Sequence, residues 1–312
     1  MDVSVIIVTR NTCALTRNAI RSVVDVRSGP AVETFVVDNG SSDETATVLP
    51  REFPQIQFIR SEKNLGFARA CNFAAKSAAG EFLLLLNSDA RLQPGALELA
   101  VGWMRAHRDC AVSGAQLLNP DGSRQNSIAN FPTLATELLN KSVLRRLFPR
   151  RFPGKEHHFN EPVQVETVVG AFLLTRREVW DKFGGLDERY FFFLEETDFC
   201  LQVHHAGMHV THLPDVRVWH GQGQTAKQVS ALARIEYWRS RYLYFAKNRP
   251  GWSRIFLAAG VGTRLWFDWL AATLLVLLTF GRNSRWGARW RICTALVGWH
   301  LRGCPATAGL PR

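Results

Sequence analysis

No closely spaced pair of cysteines occurs in this sequence. The six cysteines, at 13, 71, 110, 200, 293 and 304, form neither a CxxC unit nor a ladder of regular spacings. That excludes a zinc ribbon and a disulfide framework, and it suits a reducing cytosol. A secretion signal is not expected either, because the apolar run Val3–Val8 is short and Arg10 ends it. Without secretion, Asn39-Gly40-Ser41 reads as a turn rather than a glycosylated site. Acidic residues are scarce at one end. Residues 227–312 hold 14 Lys and Arg but only Glu236 and Asp268 as acids, whereas residues 1–226 hold 24 bases and 25 acids. The net charge of +11 therefore belongs wholly to the C-terminal region, which also holds seven of the ten tryptophans. Two regions with different partners are the simplest reading, one spanning 1–226 and the other 227–312.

What is present in the first region is a regular alternation. Val3–Thr9, Glu33–Asp38, Ile56–Arg60 and Phe82–Leu86 read as strands. Asn11–Val26, Asp43–Leu49 and Phe67–Ala79 read as the helices between them. Phe82-Leu83-Leu84-Leu85-Leu86 is apolar without a break, as in a strand buried on both faces, and stops at Asn87-Ser88-Asp89. The fold class expected is α/β: a doubly wound, mostly parallel sheet flanked by helices, with a C-terminal helical membrane-associating region.

Thr9, Asp38, Asn64 and Asp89 each stand at or just past the carboxyl end of a successive strand. In a parallel sheet those ends share one edge, where open α/β sheets bind ligands. Any one of them could be a helix cap or a turn residue. Four placements in succession point to a site, and a carboxylate such as Asp89 can hold a metal ion there.

The second half of the region is less regular. A helix is expected over 91–112, then a strand at Ala111–Ala115, then a turn at Asn119-Pro120-Asp121-Gly122-Ser123. Segment 125–163, with Arg145, Arg146, Arg150, Arg151 and Lys155, reads as a mobile insertion facing an acidic or lipid-phosphate partner. Val165–Thr175 reads as a buried strand and Val179–Phe183 as a helix. Tyr190-Phe191-Phe192-Phe193-Leu194 then runs into Glu195, Glu196 and Asp198, ahead of a helix at Phe199–Ala206. Acids at a helix start complement its dipole. Like charges this close also raise each other's pKa, and one of the three is a candidate general base. Val216–Trp219 reads as a last strand ending in His220, a candidate metal or phosphate ligand. Gly221-Gln222-Gly223-Gln224-Thr225-Ala226 fits a dinucleotide-binding pattern but lacks both a following βαβ unit and an acid downstream, so it is set aside.

Several stretches resemble one family when taken in order. They are Val5-Ile6-Ile7-Val8-Thr9-Arg10-Asn11, Val36-Val37-Asp38-Asn39-Gly40-Ser41-Ser42-Asp43, Asn64-Leu65-Gly66-Phe67-Ala68, Leu86-Asn87-Ser88-Asp89, Phe193-Leu194-Glu195-Glu196-Thr197-Asp198 and Trp219-His220. Together they resemble the family 2 inverting glycosyltransferases of GT-A fold, particularly the bacterial rhamnosyltransferase-like branch, over about residues 1–225. Gly185-Leu186-Asp187-Glu188 looks like the same branch. The resemblance implies that Thr9 and Asp38 hold the nucleoside and that Asn11, Asn64, Gly66 and Asn87 line the nucleotide-sugar pocket. It implies that Asp89 ligates Mg²⁺ or Mn²⁺ bridging the diphosphate, with His220 as second ligand or diphosphate contact. Glu196 falls at the base position, where the family usually has aspartate, which leaves Glu195 and Asp198 as alternatives. Asn87 stands where the family's aspartate-x-aspartate motif has its first acid.

The C-terminal region differs in kind. Tyr237–Phe245 interleaves aromatics with Arg239 and Arg241, and Arg282, Arg285, Arg289 and Arg291 alternate with Trp286 and Trp290. Trp and Arg together mark a membrane–water interface. The uncharged run Trp269–Phe280 is shorter than the ~20 residues a span needs, so interfacial or re-entrant helices are expected; a tilted spanning helix stays open, because Arg264 and Asp268 are four apart and could pair.

The expected function is a metal-dependent inverting glycosyltransferase. It moves L-rhamnose from dTDP-L-rhamnose to a lipid-linked or cell-surface glycan at the cytoplasmic face of a bacterial inner membrane. The alternatives are a nucleotidyltransferase on the same fold and a non-catalytic sugar-nucleotide-binding membrane adaptor. No nucleic-acid partner is expected.

Overall fold

The computed structural model describes residues 1–25, 29–153, 158–221 and 230–312. Lys155, the boundary at 226 and residues 222–226 of the glycine pattern lie outside them. The chain forms two compact units: Met1–Phe131 with Leu147–Thr225 and Arg312, and Pro132–Arg146 with Ala226–Pro311.

The elements in order are β1 (Val3–Thr9), α1 (Cys13–Val24), β2 (Val32–Asn39), α2 (Thr45–Glu52), β3 (Gln57–Ser61), α3 (Phe67–Ala75), β4 (Phe82–Asn87) and β5 (Ala90–Leu92). Next come α4 (Ala96–Ala106), β6 (Cys110–Leu118), β7 (Ile128–Ala129), α5 (Leu134–Leu138), α6 (Lys141–Leu147), β8 (Val163–Gln164), β9 (Thr167–Val168), β10 (Phe172–Arg176) and α7 (Arg177–Phe183). The chain ends with α8 (Glu195–His205), β11 (His209–His220), α9 (Ser230–Asn248), α10 (Gly251–Leu278) and α11 (Ser284–Leu301).

The sheet of the first unit runs β3-β2-β1-β4-β10-β6-β11-β5, with β8 paired to β11. Strands β3, β2, β1 and β4 are parallel, so their carboxyl ends share one edge. Strand β10 is antiparallel to both β4 and β6, and β11 is parallel to β6. The leucine run of β4 lies at the centre for a physical reason. Phe82, Leu84 and Leu86 enter the core cluster that includes residues of α1 and α4, while Leu83 and Leu85 enter the one that includes residues of α3, α7 and α8. Both faces of the strand are covered, so every position is apolar. Each such side chain contributes about 1.5–3 kcal/mol by leaving water.

Several elements depart from the sequence reading. The helix expected over 91–112 is β5 followed by α4. Gln93-Pro94-Gly95 separates them, because Pro94 has no N–H and Gly95 turns the chain at φ +78°. The strand expected over 165–175 is broken at Val169-Gly170-Ala171, where the Ala171 carbonyl accepts from the Asn87 N–H at the end of β4. The helix expected from Phe199 begins at Glu195, so all three acids lie in its first turn. The strand expected over 216–220 is the end of β11, whose pairing with β6 shifts between Leu213 and Arg217. Pro214 cannot donate into the ladder there. Segment 125–163 is not a single unpatterned insertion. A reciprocal capping box between Thr133 and Thr136 starts α5, and α5 with most of α6 belongs to the second unit. The turn at 119–123 forms as expected, closed by Asn119 N–H to Ser123 carbonyl at 2.7 Å.

In the second unit, α10 is a 28-residue helix long and apolar enough to cross a membrane, of which little is buried. It is longer than the uncharged run Trp269–Phe280 because the helix continues through Arg264 and Asp268. Asp268 pairs with Arg289 of α11 at 2.7 Å rather than with Arg264, which instead lies over the Trp238 ring at 5.8 Å. An Arg placed N-terminal to its acid is the weaker order for a pair four residues apart. The tryptophans divide. Trp238 and Trp299 are buried, whereas Trp252 and Trp266 are exposed. Trp269 and Trp290 join α10 to α11 by donating to Thr294 and Thr273 at 3.0 and 3.1 Å.

Candidate active site

The parallel half of the sheet brings the first polar residues together. Thr9 and Asp38 stand side by side where β1 and β2 end in register. The Thr9 hydroxyl lies 2.6 Å from that of Thr16 and 3.0 Å from that of Thr12, so it fixes the turn into α1. Thr12 in turn donates to Ser88 at 3.2 Å, tying that turn to the end of β4. Asn11 sits at φ 54°, a left-handed conformation that asparagine tolerates. Its Oδ1 accepts from the Ser42 N–H at 2.7 Å, and its own N–H donates to the Ser41 hydroxyl at 3.0 Å. Asp38 is fully buried. One of its oxygens accepts from the Ser41 N–H at 3.0 Å, while Oδ2 is buried without a partner. A bare buried carboxylate oxygen costs free energy that a ligand hydroxyl or N–H would recover.

The loop after β3 is held by paired amides. Asn39 Oδ1 accepts from the Leu65 N–H at 2.7 Å, and its Nδ2 donates to Asn64 Oδ1 at 3.0 Å and to the Gly66 carbonyl at 3.2 Å. Asn64 Oδ1 also accepts from the Gly66 N–H at 3.1 Å. Gly66 is required on two counts. Its φ is +81°, and a Cβ there would come within 2.6 Å of the Phe191 carbonyl oxygen. That close approach places Phe191 against the loop after β3, where its carbonyl also accepts from the Phe67 N–H at 2.9 Å.

Asp89 and His220 meet across the sheet. Ala90 pairs with His220 in the β5–β11 ladder, and the Gly221 N–H donates to the Asp89 carbonyl at 2.9 Å. Asp89 Oδ1 faces His220 Nε2 at 3.4 Å, with both side chains about nine-tenths buried. Gln125 sets the ring. Its Nε2 donates to the His220 carbonyl at 2.6 Å, which leaves Oε1 to accept from His220 Nδ1–H at 3.0 Å. With Nδ1 carrying its proton, Nε2 turns a lone pair towards a carboxylate. A cation between the two groups would be held by both. An imidazole and a carboxylate suit Mn²⁺ or Mg²⁺. Among the described residues no group of three His, Cys, Asp or Glu side chains converges, so remaining ligands would come from a bound diphosphate or water.

The three acids of α8 have separate environments. Phe193 and Leu194 enter the helix at φ 74° and 68°, a strained conformation for non-glycine residues that costs of order 1–3 kcal/mol each. The bend divides the acids between interior and surface. Asp198 is fully buried and accepts from the Tyr190 hydroxyl at 3.1 Å and from Gln202 Nε2 at 3.2 Å. Glu195 is buried with Oε2 lacking a partner. Burial, and then the charge of Glu196, push its carboxyl well above the usual range. Glu196 is half-buried and packs on Gly170, where a Cβ would lie 3.4 Å from its Cγ. Gly170 adjoins Ala171, whose carbonyl holds Asn87. Glu196 thus packs on the Gly170–Ala171 segment that pairs with Asn87, the last residue of β4. Asn87 itself is half-buried at that end.

Sequence reasoning missed Gln125, which reaches His220 across 95 residues. It also missed the structural use of Asn39, although that residue lies in a recognised stretch. Only tertiary pairing shows either.

The family model described as glycosyl transferase family 2 matches residues 4–184. The N-acetylglucosaminyl-diphospho-decaprenol L-rhamnosyltransferase of Mycobacterium tuberculosis is 26% identical over 243 residues, covering 72% of this chain and 77% of that protein. The solved mannosyltransferase PcManGT from Pyrobaculum calidifontis, in complex with GDP-Man and Mn²⁺, superposes with a TM-score of 0.56 at 17% identity, over 96% of this chain and 86% of its own. TarS of S. aureus gives 0.54 at 19% identity, over 84% of this chain and 42% of its own. At these identities the two structures speak for the fold.

Proposed function

The chain belongs to glycosyl transferase family 2, and from that premise we propose that it is a divalent-metal-dependent, inverting transferase moving L-rhamnose from dTDP-L-rhamnose to a hydroxyl of a lipid-linked glycan. That it is a glycosyltransferase sets aside the nucleotidyltransferase and adaptor alternatives. The observation that carries the finer reading is the facing pair Asp89–His220 at 3.4 Å, with the half-buried Glu196 packed on Gly170 next to Ala171, whose carbonyl accepts from the Asn87 N–H. The sugar and the lipid-linked acceptor are supported by the activity for which the M. tuberculosis relative is named. A divalent cation is supported by the Mn²⁺ of the P. calidifontis structure. Helix α10, long and apolar by composition, supports membrane attachment; the cytoplasmic face of a bacterial inner membrane, with a peripheral or re-entrant helix, is part of the proposal.

The residues divide the work. Asp38 Oδ2, buried and unpartnered, accepts from the base or ribose of the donor. The loops pinned by Asn11 and Asn64 close around the nucleotide. Asp89 and His220 hold the cation, which when bound offsets the negative charge gained by the departing diphosphate. Glu196 takes the proton of the acceptor hydroxyl as that oxygen attacks the anomeric carbon from the face opposite the diphosphate. The new C–O bond forms as the old one breaks, and the nucleoside diphosphate leaves with the bonding pair.

A panel of nucleotide sugars tests this reading, with binding and nucleoside diphosphate release measured with and without Mn²⁺ or Mg²⁺. dTDP-L-rhamnose is expected to bind and turn over only with metal. Preference for another nucleotide sugar would contradict the donor assignment, and metal-independent turnover would contradict the site.

A further inference from the structure

The second unit carries a cation cluster that this chemistry leaves unused. Arg241 of α9 donates from Nε to Glu137 Oε2 of α5 at 2.5 Å, and both side chains are buried. The Arg241 guanidinium also lies on the Tyr237 ring at 3.3 Å. That pair is electrically closed. Lys141 follows Glu137 by four residues, Arg145 lies one turn further along α6, and Arg264 lies one turn past Gly260, which touches Leu138, and over Trp238; all three are exposed and none has an ion-pair partner among the described residues. Partial desolvation, with the charges of Arg241, Arg145 and Arg264, holds the Lys141 ammonium below its usual range against Glu137. Three unmatched cations gathered around one closed pair repel one another, and a multiply charged anion would relieve them.

The neighbouring helix indicates what kind of anion. α10 packs on α5 so closely at Gly260 that a Cβ there would lie 2.7 Å from Leu138. It exposes Ile255, Phe256, Phe267, Leu274, Leu277 and Leu278, each more than half accessible. Scattered exposed residues of this kind are ordinary, but a series of them along one helix fits hydrocarbon.

We propose that Lys141, Arg145 and Arg264, backed by the buried Arg241–Glu137 pair, bind the diphosphate of a polyprenyl-diphosphate-linked acceptor whose hydrocarbon chain lies along α10. The proposal rests on the reading of the chain as a transferase acting on a lipid-linked glycan. A bulk phospholipid headgroup carries a single charge and would be served by dispersed cations such as Arg282 and Arg285. Three unmatched cations on a rigid backing suit a diphosphate.

Flotation of the full-length protein with phosphatidylcholine vesicles tests it. The vesicles carry either a polyprenyl diphosphate or phosphatidylglycerol at matched surface charge. The diphosphate vesicles are expected to bind at least about 10-fold more tightly. Lys141→Ala/Arg264→Ala should remove about 10-fold or more of that binding, whereas Arg282→Ala/Arg285→Ala, an equal loss of charge, should keep the preference. Equal binding of the wild-type protein to both vesicles, or equal losses in the two double variants, would overturn the proposal. Binding of dTDP-L-rhamnose with Mn²⁺, measured on the same preparations, reports on folding and on the first unit. If it holds while the vesicle preference fails, only the acceptor-site proposal falls. If it fails in the wild-type protein, the donor reading falls instead.

Discussion

Glu196→Gln is expected to leave donor affinity within about twofold and to lower sugar transfer by about 10²–10⁴-fold, the usual worth of a positioned general base. The substitution keeps size and shape and removes only the ability to take a proton. Neither neighbouring acid can stand in. Glu195 is buried, and burial, the larger cause of its raised carboxyl pKa, remains when the charge at 196 is removed. Asp198 is occupied by Tyr190 and Gln202 inside the core. Steady-state transfer combined with donor calorimetry separates the two effects, and near-normal turnover would remove Glu196 from the mechanism.

Asp89→Ala is expected to abolish the metal-dependent part of donor binding, a loss of at least about 100-fold, beyond the 10–100-fold typical of changing an outer partner of a metal ligand. The fold should survive, because the backbone carbonyl of Asp89 still accepts from Gly221 and β5 still pairs with β11. His220 would remain, held by Gln125, but one imidazole without its facing carboxylate is a poor cation site. Calorimetry with and without Mn²⁺ decides the matter. An affinity that stays unchanged, or falls equally in both conditions, would take the cation away from Asp89.

The sequence carried some of this more clearly than the rest. The parallel half was legible because local pattern and global placement agree. The run Phe82–Leu86 is apolar at every position since both faces are covered, and the polar residues after β1, β2 and β4 mark strand ends that adjacency then aligns. The antiparallel half was harder to read. Pro214 and Gly170 interrupt strands whose continuity depends on neighbours far along the chain. The three acids looked equivalent in sequence, but the left-handed turn at Phe193–Leu194 sends them to different environments. Composition set the C-terminal region apart as basic and tryptophan-rich, but it could not separate Trp299, which is buried, from Trp252, which is exposed. Nor could it show that residues 132–146 belong with that region.

The most direct measurement is the anomeric configuration of the first glycosidic bond formed, followed by NMR during transfer from dTDP-L-rhamnose to a lipid-linked acceptor. A single displacement assisted by Glu196 beside the Asp89–His220 pair predicts a product inverted relative to the donor. A product of retained configuration would contradict the account.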